Sequence, residues 1–173
     1  MLTPRFERAV SFAIEVHAGQ VRKGTDIPYV SHCLSVAALV LEFGGNEAAA
    51  IAGLLHDVIE DGTPEQARRL REDFGEDVHG WVSDCSDAFV QPKPHWRERK
   101  EAYISKVRTK PEVSRLISCC DKIHNTRSIL SDLRRDGAAM WERFNEPRDG
   151  QLWYYRTLAD VFLELGPRFP AVE

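Results

Sequence analysis

The most constraining feature of the sequence is an apolar run that ends abruptly in ionisable residues. From Ala48 to Leu55 the chain has no polar face, and a helix without a polar face is typical of one that is buried on all sides. Ionisable residues then follow within two turns: His56, Asp57, Glu60 and Asp61. The alternative is a polar helix end that faces solvent, but acidic residues at a helix C-terminus oppose the helix dipole. The pattern therefore indicates a functional site at the end of a core helix.

The spacing of these four residues suggests a use for them. We expect the helix to continue to Gly62, so that His56 and Glu60 lie one turn apart, as do Asp57 and Asp61. An ion lying between the directions of His56 and Asp57 could take a ligand from each. Glu60 and Asp61 would lie about 5 to 6 Å further along the helix, where they could hold or deprotonate a water on that ion.

The bulk composition limits the class of protein. At 173 residues the chain fits one domain, which we expect to span residues 1–173. The net charge of −4 argues against sequence-independent binding of nucleic acid. No apolar run approaches the ~20 residues of a membrane span, and the four cysteines have no C-x-x-C spacing. We expect a cytoplasmic protein with reduced thiols and neither a membrane nor a nucleic-acid partner.

Apolar residues recur with helical spacing along the chain, and no segment alternates with a period of two, so the sequence predicts an all-α bundle of about eight helices. Ser31 is predicted to cap a helix that runs to Phe43. Residues 63–66, Thr-Pro-Glu-Gln, form a complete helix start with a capping box, and Phe74-Gly75 is a predicted end. A long helix is expected from Glu112 to about Leu133.

Two further polar residues lie beside buried stripes. His32 falls in the first turn of the predicted second helix, and Asp121 follows an apolar stripe of the long helix. Alone, a histidine at a helix start is more often a satisfied polar group than a ligand. Together with His56 and Asp57, however, the two residues make a mixed nitrogen and oxygen set that suits one borderline divalent ion with open positions for water and substrate.

The order His, then His-Asp, then Asp on an all-α chain resembles the HD-domain metal-dependent phosphohydrolases. Further motifs, from about Phe6 to Phe162, resemble the hydrolase domain of the RelA/SpoT family: Gly19-Gln20-x-Arg22-Lys23, Pro28-Tyr29-x-x-His32, Leu54-Leu55-His56-Asp57-x-x-Glu60-Asp61, Phe74-Gly75-x-x-Val78 and Asp121-Lys122-Ile123-His124-Asn125-Thr126-Arg127. The synthetase half and regulatory domains of the long family members have no room here, so the chain is similar to a stand-alone small alarmone hydrolase.

The resemblance implies a metal-dependent reaction. It assigns four metal ligands, typically to manganese: His32, His56, Asp57 and Asp121. Glu60 and Asp61 would position and activate the attacking water. The implied reaction removes the 3′-pyrophosphate of (p)ppGpp and gives GDP or GTP and pyrophosphate.

The resemblance also implies how a small, densely anionic nucleotide would be bound. Arg22 and Lys23 match the family's pair beside the base and phosphates. Asn125 matches the residue that contacts the ribose, and Ser128 stands where a threonine is common. An ordinary solvated basic loop is the alternative for Arg22 and Lys23.

The chain departs from the family pattern in two places. Cys33 follows His32 where the family usually has proline, and the segment from Asp87 to His95 is long and contains two prolines. No motif in the sequence indicates which base the substrate carries, which metal ion is used in vivo or which oligomeric state the protein adopts. Two alternatives therefore stay open: a phosphohydrolase for another nucleotide, such as a 3′-phosphorylated adenine nucleotide or NADPH, and a non-catalytic nucleotide-binding module.

Overall fold

The computed structural model describes residues 1–86 and 94–165. Within these ranges lie eight α-helical segments, one of which is a single four-residue turn. They are α1 (Pro4–Val16), α2 (Val30–Glu42), α3 (Glu47–Leu54), α4 (Val58–Asp61), α5 (Pro64–Cys85), α6 (Trp96–Val107), α7 (Glu112–Asp136) and α8 (Arg148–Glu164), with a 3-10 helix over Gly137–Arg143. The prediction of an all-α fold is confirmed, since the only extended pairing among the described residues is one isolated bridge between Val21 and Pro28.

Helix α3 is the centre of the bundle. Every residue from Ala49 to Leu54 is buried, and α1, α2, α5 and α7 all pack against this helix. Burying one leucine or isoleucine side chain contributes about 1.5 to 3 kcal/mol, so α3 anchors the core although it has only 8 residues. The expectation of a helix buried on all sides is confirmed.

The contact between α2 and α3 places the two histidines of the predicted site together. A Cβ on Gly53 would lie 3.1 Å from Val40 Cγ2, so glycine permits the two helices to approach closely. A short connection, residues 43–46, joins them and makes them antiparallel neighbours. The start of α2, which carries His32, therefore lies beside the end of α3, which leads into His56.

The predicted cap of α2 is wrong. The helix begins at Val30, its N-cap residue is Tyr29, and no side chain caps it. The first turn is closed by the backbone instead, since the amide of Ser31 donates to the carbonyl of Pro28 at 3.0 Å. The fixed φ of Pro28 favours this early turn. Ser31 therefore lies inside the first turn of the helix and not at its N-cap.

The predicted continuity of the third helix is also wrong. Helix α3 ends at Leu54, and the chain resumes as α4 only at Val58. Leu55 (φ −105°, ψ 11°) and Asp57 (φ −99°, ψ 0°) lie near the bridge region of the backbone map, which active-site residues often occupy. His56 and Asp57 are thus presented by a turn between two helices, and regular one-turn stacking does not set their relation to Glu60 and Asp61.

Helix α5 has the predicted start and a modified end. Thr63 and Gln66 form the reciprocal capping box. The predicted end at Phe74-Gly75 is present as a kink, because Gly75 has non-helical backbone angles (φ 77°, ψ 171°), and a second helical stretch then runs to Cys85. Most of the proline-containing segment Asp87–His95 lies outside the described residues. None of the described helices combines the length and the apolar character that crossing a membrane requires.

Candidate metal centre and active-site cleft

The four predicted metal ligands converge at the broken end of α3. Asp57 Oδ2 lies 3.1 Å from His56 Nε2 and 3.9 Å from His32 Nε2. Asp121 Oδ1 lies 3.3 Å from His32 Nε2 and 3.8 Å from His56 Nε2. Two ligand atoms that are each about 2.1 Å from one ion are separated by roughly 3 to 4 Å. The spacing of these side chains is therefore that of a shared ion.

The hydrogen bonds of the two imidazoles direct the Nε2 atom of each towards the carboxylates. His56 Nδ1 lies 2.8 Å from the Gly53 carbonyl, to which it donates, so Nε2 is the nitrogen that can ligate. That Nε2 is buried, lies 3.1 Å from Asp57 Oδ2, and makes no hydrogen bond of good geometry with the residues that the structure describes. A buried imidazole nitrogen that faces two carboxylates in this way can ligate a cation held between them. His32 Nδ1 contacts His124 Nδ1 at 2.7 Å, which leaves His32 Nε2 facing Asp121.

Neighbouring donors hold the two carboxylates in place. The Tyr29 hydroxyl donates to Asp57 Oδ2 at 2.6 Å. Lys122 Nζ donates to Asp121 Oδ2 at 2.5 Å, and the side-chain amide of Asn125 donates to Asp121 Oδ1. Such outer contacts fix the orientation of ligands in metal sites.

The electrostatics of the cluster favour a bound cation. Burial alone would lower the pKa of His56, but the Asp57 and Asp121 carboxylates outweigh it and raise this pKa to about 9. Burial opposes the charge of Asp57 as well, yet His56 and His32 hold the pKa of Asp57 below its usual range. Burial lowers the pKa of His32. The metal-free cluster therefore keeps a proton on His56, which a divalent cation would displace on binding.

The two predicted water-activating carboxylates lie on the next turn of chain. Glu60 and Asp61 are both exposed on α4. Asp61 Oδ2 accepts a hydrogen bond from Gln20 Nε2 at 2.9 Å. Gln20 Oε1 in turn accepts from His17 Nδ1 at 2.7 Å. His17 is thus a buried, hydrogen-bonded core residue.

A cleft of about 330 Å³ adjoins the cluster. Tyr29, His124 and Asn125 line it and also contact the candidate ligands. All four predicted substrate-binding residues line the same cleft: Arg22, Lys23, Asn125 and Ser128. The cleft therefore connects the candidate ligands with the cationic loop.

Hydrogen bonds fix the side chains along this cleft. Arg22 donates to Asn125 Oδ1 at 2.9 Å, and Lys23 donates to Asn145 Oδ1 at 3.0 Å. The Ser128 hydroxyl donates to the carbonyl of His124 within the helix. The loop that carries Arg22 and Lys23 is thereby tied to the helix that carries Asp121.

Cys33 follows the candidate ligand His32 in α2. Its side chain is fully buried, and burial raises the pKa of its thiol. The group of donor atoms close enough to share an ion, among the described residues, consists of His32, His56 and Asp57, with Asp121 at the distances given above.

Sequence reasoning gave no role to three residues that contact the site: Gln20, Tyr29 and His124. All three belong to motifs that also contain predicted site residues, and His124 follows Asp121 by three positions on one helix face. Their position in these motifs was the feature of the sequence that could have indicated a role at the site. Their contacts, however, cross between elements that are distant in the sequence.

Comparison with known proteins gives the class of this one. Residues 9–150 match the HD domain family, and the chain belongs to that family. Over 130 residues it is 35% identical to the guanosine-3′,5′-bis(diphosphate) 3′-pyrophosphohydrolase of Haemophilus influenzae, an alignment that covers 72% of this chain and 18% of the relative. It is 33% identical over 138 residues to the bifunctional (p)ppGpp synthase/hydrolase SpoT of Escherichia coli, covering 76% and 19%. The chain thus spans about a fifth of the length of these curated relatives.

A solved structure matches the whole chain. It is described as a metazoan ortholog of SpoT that hydrolyses ppGpp. The TM-score is 0.80 at 26% sequence identity, with 100% of this chain and 92% of the other covered. The resemblance to RelA/SpoT hydrolase domains seen in the sequence is confirmed by these similarities.

Proposed function

We propose that this protein is a metal-dependent phosphohydrolase that removes the 3′-pyrophosphate of (p)ppGpp and releases GDP or GTP and pyrophosphate. The observation that carries the proposal is the buried Nε2 of His56, which lies 3.1 Å from Asp57 Oδ2 and 3.8 Å from Asp121 Oδ1 beside a cationic cleft. The printed functions of the relatives from Haemophilus influenzae and Escherichia coli and of the metazoan structure support the choice of substrate.

Four side chains would hold the metal ion: His32, His56, Asp57 and Asp121. Their mixture of imidazole and carboxylate donors suits a borderline divalent cation, and we take Mn²⁺ as its identity. When bound, the ion would lower the pKa of a water and polarise a phosphoryl oxygen. The donors from Tyr29 and Lys122 keep the two carboxylates oriented towards the imidazoles.

The water-activating groups would be Glu60 and Asp61. Both are exposed, so each can exchange a proton with solvent after taking one from the attacking water. The hydrogen bond from Gln20 fixes one oxygen of Asp61 and leaves the other available. Glu60 and Asp61 are adjacent in the chain, and the two together would position and activate the attacking water, so that both are needed for turnover.

The cleft would bind the nucleotide. Arg22 and Lys23 bring positive charge to a protein whose net charge is −4, and guanidinium groups pair well with phosphate. Asn125, fixed by Arg22 and donating to Asp121, would contact the ribose. Ser128 lies one turn further along α7 and lines the same cleft. We place the enzyme in the cytoplasm, where a nucleotide substrate of this kind would reach it.

The proposal is tested by product analysis. Purified protein with Mn²⁺ is incubated separately with ppGpp, its adenosine counterpart, NADPH and nucleoside monophosphates, and the products are resolved by ion-exchange chromatography. We expect pyrophosphate and GDP from ppGpp, and loss of both products in Asp57→Ala and Glu60→Ala. Orthophosphate from another nucleotide with ppGpp untouched would refute the substrate. No turnover of any compound with any divalent ion would favour a non-catalytic binding module.

A further inference from the structure

One face of α7 forms a polar strip that extends well beyond the candidate metal centre. Asp121, Asn125, Ser128 and Asp132 are spaced i, i+4, i+7 and i+11, which places them along one side of a helix. The strip is about 16 Å long at 1.5 Å per residue. Its last three residues all line the cleft. A nucleotide whose 3′-phosphates lie at Asp121 and whose ribose lies at Asn125 therefore extends its base towards Ser128 and Asp132.

Asp132 brings a carboxylate to that end of the cleft. Its side chain is 20% exposed. Arg135 donates to Oδ1 at 2.7 Å, and Arg143 Nη1 lies 3.4 Å from Oδ2. An ionised carboxylate has about four acceptor positions, so these two contacts hold the group in place and leave one acceptor on each oxygen.

Two adjacent acceptors distinguish guanine from adenine. Guanine presents N1–H and the N2 amino group side by side, so both oxygens of one carboxylate can accept from it. Adenine presents a donor, N6, next to an acceptor, N1, and that acceptor opposes a carboxylate oxygen. A site that pairs polar groups with one base disfavours the analogue that leaves those groups unpaired.

We propose that Asp132 is a specificity-determining residue that selects guanine in the proposed substrate by accepting hydrogen bonds from N1–H and the N2 amino group. This inference rests on the proposed function and adds to it the residue that reads the base. Arg135 and Arg143 act as positioning residues for the carboxylate.

The first test compares substrates on the unaltered protein. Steady-state kcat/KM is measured with Mn²⁺ for ppGpp, its inosine counterpart, which lacks only the N2 amino group, and its adenosine counterpart. We expect ppGpp to exceed the inosine compound by about tenfold, since bidentate pairs with bases discriminate by ~1 to 3 kcal/mol, and to exceed the adenosine compound by more. Equal kcat/KM for ppGpp and the inosine compound would overturn the inference.

The second test changes the carboxylate. In Asp132→Asn the amide can donate to adenine N1 and accept from N6, so the ratio of kcat/KM for ppGpp over the adenosine compound should fall by about tenfold or more. Asp136→Asn is the matched control, because Asp136 also pairs with Arg135 and Arg143 but is not among the described residues that line the cleft. The control should keep the ratio of the parent protein. A merely structural role of Asp132 would lower turnover of all three compounds equally and would overturn the inference.

The two proposals fail differently. If the unaltered protein does not hydrolyse ppGpp, the proposed function is wrong. If it hydrolyses ppGpp but the Asp132→Asn ratio is unchanged, only the assignment of Asp132 is wrong.

Discussion

The side-chain amide of Gln20 donates a hydrogen bond to Asp61 Oδ2 at 2.9 Å, and the same side chain accepts one from His17 at 2.7 Å. A buried histidine thereby orients a carboxylate that is otherwise exposed. Under the proposed function, this contact would make Gln20 a positioning residue for Asp61, a role that the sequence did not suggest.

We expect Gln20→Ala to lower kcat for ppGpp by about tenfold to a hundredfold with a smaller change in KM, because a misplaced catalytic group costs rate more than binding. The matched control is Gln66→Ala, which removes a glutamine of the capping box on α5. That variant should lose about 1 kcal/mol of stability and keep its kcat. Equal kcat values in Gln20→Ala and the unaltered protein would show that the Gln20 contact is only structural.

The Tyr29 hydroxyl is a second testable contact, since it donates to the candidate ligand Asp57 at 2.6 Å. Removing it in Tyr29→Phe should weaken Mn²⁺ binding by about 10-fold to 100-fold, as is common for groups that orient metal ligands. Titration calorimetry measures the effect. Tyr154→Phe is the control, because the buried Tyr154 hydroxyl has no hydrogen-bond partner among the residues that the structure describes. The Mn²⁺ affinity of this variant should match that of the unaltered protein. Unchanged affinity in Tyr29→Phe would contradict the role given to this hydroxyl.

Mn²⁺ affinity should depend on pH through His56. Asp57 and Asp121 raise the pKa of His56 to about 9 against the effect of burial, so between pH 6 and 8 the metal must displace a proton. Apparent affinity should therefore rise with pH, by up to about tenfold per unit. Titration calorimetry with Mn²⁺ at pH 6, 7 and 8 measures this dependence of the affinity on pH. An affinity that is constant or falls as pH rises would show that His56 is not a ligand.

Two glycines of α5 should respond to alanine in opposite directions. A Cβ added at Gly75 or at Gly80 would meet no atom of the described residues within 4 Å, but Gly75 has φ 77°. Gly75→Ala should destabilise the protein by about 1 to 2 kcal/mol because left-handed backbone disfavours a side chain. Gly80→Ala should stabilise it by about 0.5 to 1 kcal/mol, since alanine favours a helix interior. The midpoints of urea unfolding of the two variants, compared with that of the unaltered protein, measure these changes in stability. Shifts of the same sign in both variants would contradict the kink at Gly75.

Local sequence signals predicted the helices better than they predicted the geometry of the site. The capping box at Thr63 and the buried run before His56 could be predicted from residue types and their spacing alone, and both are present in the structure. The break between Leu54 and Val58 could not be predicted this way, because helical periodicity reports which residues face the core and not where tertiary packing bends the backbone. The early start of α2 at Val30 depends likewise on a backbone turn at Pro28 that a capping rule does not anticipate.

In the candidate site, too, the residue types could be predicted from the sequence but the contacts between helices could not. The residue types that suit a divalent ion could be chosen from the sequence, and the structure brings His32, His56, Asp57 and Asp121 within 3.1 to 3.9 Å of one another in pairs. The contact of Tyr29 with Asp57 spans 28 residues and that of Gln20 with Asp61 spans 41. Such pairs depend on how helices pack, so the contacts that orient the site required the structure.

The central claim is that one metal ion at these four residues supports release of pyrophosphate from ppGpp. The most direct measurement is the initial rate of pyrophosphate release set against the number of Mn²⁺ ions bound per chain, determined by electron paramagnetic resonance on the same samples. We predict that the rate rises in proportion to occupancy and reaches its maximum at one ion per chain, and that His56→Ala binds no tight Mn²⁺ and releases no pyrophosphate. Full activity in metal-stripped protein, or one tightly bound ion without any release of pyrophosphate, would contradict the account.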